Sequence, residues 1–244
     1  IHPQDQKHYQ LKTIWIYLKM FNFIIKMILY LILSYSLINY FYFFTWYLGD
    51  DQMIIEEAFR LSLHSSLPMF MFLFLIHVFY YPRVNRNHAL VISFPPIILL
   101  FFINLGFIIS TSNLYYFQLY QIPEYLNIFR SFELGLTLIL ISLTLLIMSL
   151  NTFKEVNEDP IPTSSTTLII DQNIYRYTRN PMYLAMLILQ VGIGMILSMI
   201  HIIFFTILTY IVFKYYVIIP EEIYLEKKFK IKYMNYKRLV NRWF

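Results

Sequence analysis

The chain has 244 residues and a mass of 29.7 kDa, is 59% hydrophobic and 20% aromatic, and carries only 14% charged residues with a net charge of +5. An ordinary soluble domain has about 25% charged residues, and with a mean hydropathy of +0.57 this much apolar surface cannot fold inward around one core. The composition excludes a soluble globular domain and points to a bilayer as the solvent. The absence of cysteine excludes disulfides, thiolate metal sites and a cysteine nucleophile together.

The first element is a basic amphipathic stretch, residues 11 to 26, with Lys12, Lys19, Asn22 and Lys26 at helical spacing. It reads equally as an interfacial helix or as the start of a longer, tilted first span. Six charge-poor stretches follow that are long enough to cross roughly 30 Å of hydrocarbon at about 1.5 Å per residue. They are Met27 to Leu48, Leu61 to Tyr81, Ala89 to Ser110, Phe132 to Leu150, Met182 to Met199 and Ile202 to Ile219. Helices are the default because lipid cannot satisfy backbone groups. The expected fold is therefore an all-α integral membrane protein of about six transmembrane helices. Pro95 and Pro96 are expected to break or kink the third span. The last two spans are nearly continuous, so they must form a tight hairpin turning around Ile200 and His201.

All but three of the nineteen Lys and Arg residues fall in the N-terminal segment, the 82 to 88 loop with Arg83 and Arg86, the 151 to 181 loop, and the tail from Glu221. The exceptions are Arg60, Arg130 and Lys214, the last able to snorkel toward the tail. The bias puts both termini on the cytoplasmic side, and the basic residues beside the spans suit lipid headgroups rather than nucleic acid. The opposite, outer side holds the acidic run Asp50, Asp51, Glu56 and Glu57, read as solvated. His64 and His77 share the second span but, thirteen residues apart, lie on different faces and make a poor metal pair.

After Leu150 the composition changes. Residues 151 to 180 form the longest polar connection, with Pro160, Pro162 and the hydroxyl run Thr163, Ser164, Ser165, Thr166 and Thr167. The tail opens with Pro220, Glu221 and Glu222, a favourable helix start. Leu225, Phe229, Tyr233, Tyr236 and Val240 then mark one apolar face of an amphipathic helix, whose other face carries Lys227, Lys228, Lys230 and Lys237. No G-x-S-x-G, H-E-x-x-H, Walker loop, G-x-G-x-x-G or metal-ligating cluster occurs. What remains is a cation at Arg179 and two carboxylates at Glu221 and Glu222, at the mouths of adjacent helices where charge is costly unless paired or used.

Two segments, TLIIDQNIYRYTRNPMYLAM from Thr167 and VIIPEEIYLEKKFKIKYMNYKRLVNRWF from Val217, resemble the isoprenylcysteine carboxyl methyltransferases and their bacterial relatives. The family pattern is Tyr, then Arg-(His or Asn)-Pro-x-Tyr, a helical hairpin, and Glu-Glu-x-x-Leu-x-x-x-Phe with Tyr-x-x-Tyr. Tyr175, Arg179, Asn180, Pro181, Tyr183, Glu221, Glu222, Leu225, Phe229, Tyr233 and Tyr236 match it. Two positions depart: Asn173 and Lys230 stand where the family has Gly. Asn tolerates a left-handed backbone, whereas at Lys230 the helix is expected to run straight through.

The resemblance implies a methyl transfer from S-adenosylmethionine to a lipid-linked acceptor, such as a prenylcysteine-type carboxylate. It implies Arg179 and Glu221 as catalytic residues, and Thr167, Leu168, Ile169, Tyr175, Asn180, Pro181, Met182, Tyr183, Glu221 and Glu222 as cofactor-binding, with no metal. It divides the chain into residues 1–88, a helix and two spans of unassigned role, and residues 89–244, the methyltransferase-like part. The partner is a membrane lipid or lipidated acceptor. Two competing readings are a sterol-reductase-like enzyme using NADPH and a non-catalytic membrane scaffold.

Overall fold

The computed structural model describes residues 3–49, 54–81 and 88–243, with backbone only for residues 3–16 and 18. Asp50, Asp51, Arg83 and Arg86, and the side chains of Lys7 and Lys12, lie outside the described residues. Among the described residues the chain is helical without strands: α1 (Pro3–Leu48), α2 (Ile55–Tyr80), α3 (Pro95–Thr111), α4 (Phe132–Glu155), α5 (Pro181–Ile196), α6 (Ile200–Phe213), α7 (Ile219–Phe229) and α8 (Ile231–Leu239). Five runs are long and apolar enough to span a bilayer: Lys19–Leu48, Ile55–Tyr80, Pro95–Phe117, Phe132–Glu155 and Ile200–Phe229. The sixth expected span, α5, has 16 residues and rises only about 24 Å, short of the hydrocarbon thickness.

One open alternative is decided and two expectations change in detail. The basic N-terminal stretch is continuous with the first span, so the longer-helix reading holds. Pro95 and Pro96 do not kink the third span but start it, sitting at the first helical positions where a missing N–H costs nothing. Residues 89–93 before them are not helical, with Ala89, Val91 and Ser93 buried and Leu90 and Ile92 exposed, and Ile92 N donates to Tyr216 O at 3.0 Å. The hairpin turn falls at Leu197–Met199, before the expected Ile200 and His201. Ser198 is left-handed there (φ 53°) and Met199 N donates to Gly194 O at 2.8 Å, closing α5 in a tight cap.

The spatial order of the helices differs from the chain order, because α6 lies between α3 and α5, α4 covers the far side of α5, and α1–α2 pack onto α3. Glycine permits the closest of these approaches. A Cβ on Gly106 of α3 would lie 2.6 Å from Ile202 Cα of α6, and one on Gly135 of α4 would lie 2.9 Å from Gly192 O of α5. Polar staples complete the contacts: Thr209 Oγ1 donates to Gln190 Oε1 at 2.7 Å, and Gln190 Nε2 donates to Ile202 O at 3.1 Å. Asn104 of α3 accepts from the Tyr40 hydroxyl and donates to Ser66 O at 3.0 Å. His64 bonds the Tyr35 hydroxyl, while His77 bonds Ser93 Oγ at 2.9 Å, so the two histidines serve different contacts.

Candidate active site

The tail is not one helix. Lys230 adopts φ 48° and ψ −121°, a conformation that glycine tolerates and L-residues resist, so the chain turns between α7 and α8 where a straight helix was expected. The turn folds the apolar face inward. Tyr233, Tyr236 and Val240 pack with Ile169, and Leu225 and Phe229 border the cluster.

Asn173 is left-handed (φ 53°), as its substitution for Gly suggested. Its amide donates to Glu155 Oε2 at 2.8 Å, tying the short 3-10 turn Asn173–Arg176 to the end of α4. That turn buries Tyr175 edge-on against Phe153, ring centroids 5.7 Å apart, and the Tyr236 hydroxyl donates to Tyr175 O at 2.7 Å. The end of the chain then straps the Arg-Asn-Pro turn. Arg179 N donates to Asn241 O at 3.0 Å, and Thr178 Oγ1 and Asn180 Nδ2 both donate to Arg242 O, at 3.1 and 3.0 Å.

These elements enclose a pocket with a cavity volume of about 130 Å³, partly open to solvent, between the 159–170 loop, the start of α5, the start of α7 and α8. Of the residues picked from the sequence, Leu168, Ile169, Tyr175, Arg179, Asn180, Met182, Tyr183, Glu221 and Glu222 line it. Thr167 and Pro181 do not. Thr167 is turned onto Glu158, which accepts from its backbone N–H at 2.9 Å and from its hydroxyl, and its neighbour Thr166 faces the pocket instead. Pro181 opens α5 at its first position. Ala89, Phe153, the Asp159–Pro162 segment and Tyr224 also line the pocket. The Pro-rich loop was a visible signal for Asp159–Pro162; a small residue such as Ala89 offers none.

The two adjacent glutamates have different surroundings. Glu221 Oε1 accepts from the Tyr183 hydroxyl at 2.6 Å and, among the described residues, no Lys, Arg or His pairs with it. Glu222 is buried and ringed by cations. Arg242 meets it with a two-pronged fork, Nε to Oε1 at 3.0 Å and Nη2 to Oε2 at 2.8 Å. Arg179 Nη1 lies 3.1 Å from Oε1, and Lys237 Nζ lies 3.7 Å from Oε2 while pairing more closely, at 2.5 Å, with Glu226. Glu222 in turn holds the Arg242 guanidinium above its ordinary range.

Arg179 is close to Glu222 without being satisfied by it. Its side chain is 8% exposed, yet neither Nε nor Nη1 makes a hydrogen bond, because the N–H directions miss the carboxylate. Burial pushes the phenols of Tyr175 and Tyr236 well up and that of Tyr233 up to about 12. All three stay neutral at physiological pH. The pocket lining thus includes Glu221, a carboxylate without a cationic partner among the described residues, and Arg179, a guanidinium whose Nε and Nη1 make no hydrogen bond, two charges of opposite sign that suit a zwitterion.

Residues 130–232 match the sequence model of a family described as phospholipid methyltransferase. No curated protein and no solved structure matches the chain. The match runs from the start of α4 through the pocket loop, the α5–α6 hairpin and α7, and with five bilayer-length helices it makes the chain a multi-pass membrane protein. Residues 130–232, the stretch that builds most of the pocket, are thus similar to phospholipid methyltransferases, in keeping with the methyltransferase-like motifs of that stretch.

Proposed function

We propose that the protein moves a methyl group from S-adenosylmethionine to a lipid-borne acceptor at the cytoplasmic face of a membrane. The observation that carries this reading is the pair of opposite charges lining the pocket: Glu221 without a cationic partner among the described residues, and Arg179 with two buried nitrogens that make no hydrogen bond. The cofactor supplies an electrophilic methyl on a sulfonium, and its amino-acid end carries both an ammonium and a carboxylate. Glu221, oriented by Tyr183, receives the ammonium. The Arg179 N–H groups receive the carboxylate, and Leu168, Ile169 and Tyr175 contribute apolar wall for the adenosine.

Residues 89–244 form the methyltransferase unit in this reading, with both termini cytoplasmic. A cofactor from the cytosol and an acceptor arriving through the bilayer then meet at the membrane boundary. Where the acceptor is a carboxylate, such as that of a prenylcysteine, opposite charges neutralise as the new bond forms. No general base is required, and positioning and exclusion of water carry the acceleration. An amine acceptor would additionally have to give up a proton.

Membranes containing the protein, incubated with methyl-tritiated S-adenosylmethionine and a lipid extract, test this. The expected result is label in the lipid fraction, released by mild alkali when the product is a methyl ester and retained when it is an N-methyl product. No label above protein-free membranes contradicts the proposal.

A further inference from the structure

We infer that Arg242 is a positioning residue: by occupying both oxygens of Glu222, it keeps the Arg179 fork off them and leaves Arg179 Nε and Nη1 without a hydrogen bond, in reserve for an anionic oxygen in the pocket. The inference rests on the cofactor reading proposed above and adds a residue that lies outside both the pocket lining and the family match.

A buried carboxylate takes as many charge-assisted hydrogen bonds as its neighbours offer. Glu222 has two guanidinium groups within reach, and only one can set its fork in the plane of the carboxylate. Arg242 has that place, with both contacts at or below 3.0 Å. It is held there by its own backbone, since Arg242 O accepts from Thr178 and Asn180 while Asn241 O accepts from Arg179 N. Arg179 therefore receives the field of Glu222 at 3.1 Å but none of its hydrogen bonds. Lys237 cannot take over the fork, because an ammonium is a point charge without planar paired donors and this one is engaged by Glu226 at 2.5 Å.

The consequence is specific. In Arg242→Gln the Glu222 oxygens fall open, and Arg179 is the nearest donor able to fill them. Its fork closes on Glu222 and is lost to the pocket. Neutralising the carboxylate as well, in Glu222→Gln/Arg242→Gln, removes what captures Arg179 and frees it again. A purely structural role predicts the reverse order, with the double variant the worse of the two.

Calorimetric titration of the detergent-purified full chain with S-adenosylmethionine and with its decarboxylated analogue reads this directly, with thermal melting followed in parallel. Wild type is expected to prefer the carboxylated compound by about tenfold or more, the value of a hydrogen bond to a charged group. Arg242→Gln loses that preference, the double variant recovers it at least in part, and Arg242→Lys falls between. The inference is overturned if Arg242→Gln keeps the preference, if the double variant is no better than the single one, or if wild type binds S-adenosylmethionine without preference. That last result leaves the proposed cofactor standing. A folded wild type that binds no S-adenosylmethionine removes both.

Discussion

Lys230 holds a backbone conformation that costs a residue with a side chain about 1–3 kcal/mol, against about 0.5–1 kcal/mol of chain entropy that glycine would lose there. Strain outweighs entropy, so Lys230→Gly is expected to raise the melting temperature in detergent by about 2–4 °C; a fall would mean that the Lys side chain contributes more than its backbone costs. Tyr236→Phe leaves Tyr175 O without its partner and is expected to destabilise by about 1–3 kcal/mol, read from the same melting curves, with no loss expected if water replaces the hydroxyl. At this scale the sequence was only partly legible. Asn173 announced its left-handed turn because Asn is among the few residues that adopt it readily. Lys230 did not, since Lys is a good helix former and tertiary contacts of Tyr233 and Tyr236, not local preference, bend the chain there. The fork of Arg242 on Glu222 was hidden as well: in a tail dense with Lys and Arg, nothing in the spacing separates the cation that ties a carboxylate from those that face headgroups.

Among the elements, the contact of α3 with α6 depends on Gly106, where an added Cβ would meet the Ile202 backbone at 2.6 and 2.8 Å. At Gly194 the first obstacle is instead the Ile203 Cγ1 side-chain atom, also at 2.6 Å. Backbone cannot step aside as a side chain can, so Gly106→Ala is expected to cost about 1–3 kcal/mol and Gly194→Ala less. Equal melting temperatures for the two variants would contradict this packing. Hydropathy located the spans because a bilayer demands long apolar runs, but it could not time their ends. Pro95 looked like an interruption because the apolar run begins six residues earlier, at Ala89. Those residues stay outside the helix, held by the hydrogen bond from Ile92 to Tyr216 and the burial of Ala89 and Val91.

For the whole molecule, α6 inserted between α3 and α5 brings the mouths of α5 and α7 together, which is why Arg179 and Glu221, 42 residues apart in the chain, face one pocket. The motif spacing foretold that convergence, because a hairpin of two near-equal arms returns to the side it left. It did not foretell that the two adjacent glutamates, both lining the pocket, would divide by partner, Glu222 ringed by cations and Glu221 bonded to the Tyr183 hydroxyl. Calorimetric binding of S-adenosylmethionine and, separately, NADPH to the detergent-purified protein and its Glu221→Gln variant tests that division most directly. The expected result is micromolar binding of S-adenosylmethionine, none of NADPH, and a loss of at least about tenfold in the variant, the scale of a lost charge-assisted hydrogen bond. Binding of NADPH alone, or S-adenosylmethionine binding indifferent to Glu221→Gln, would contradict it.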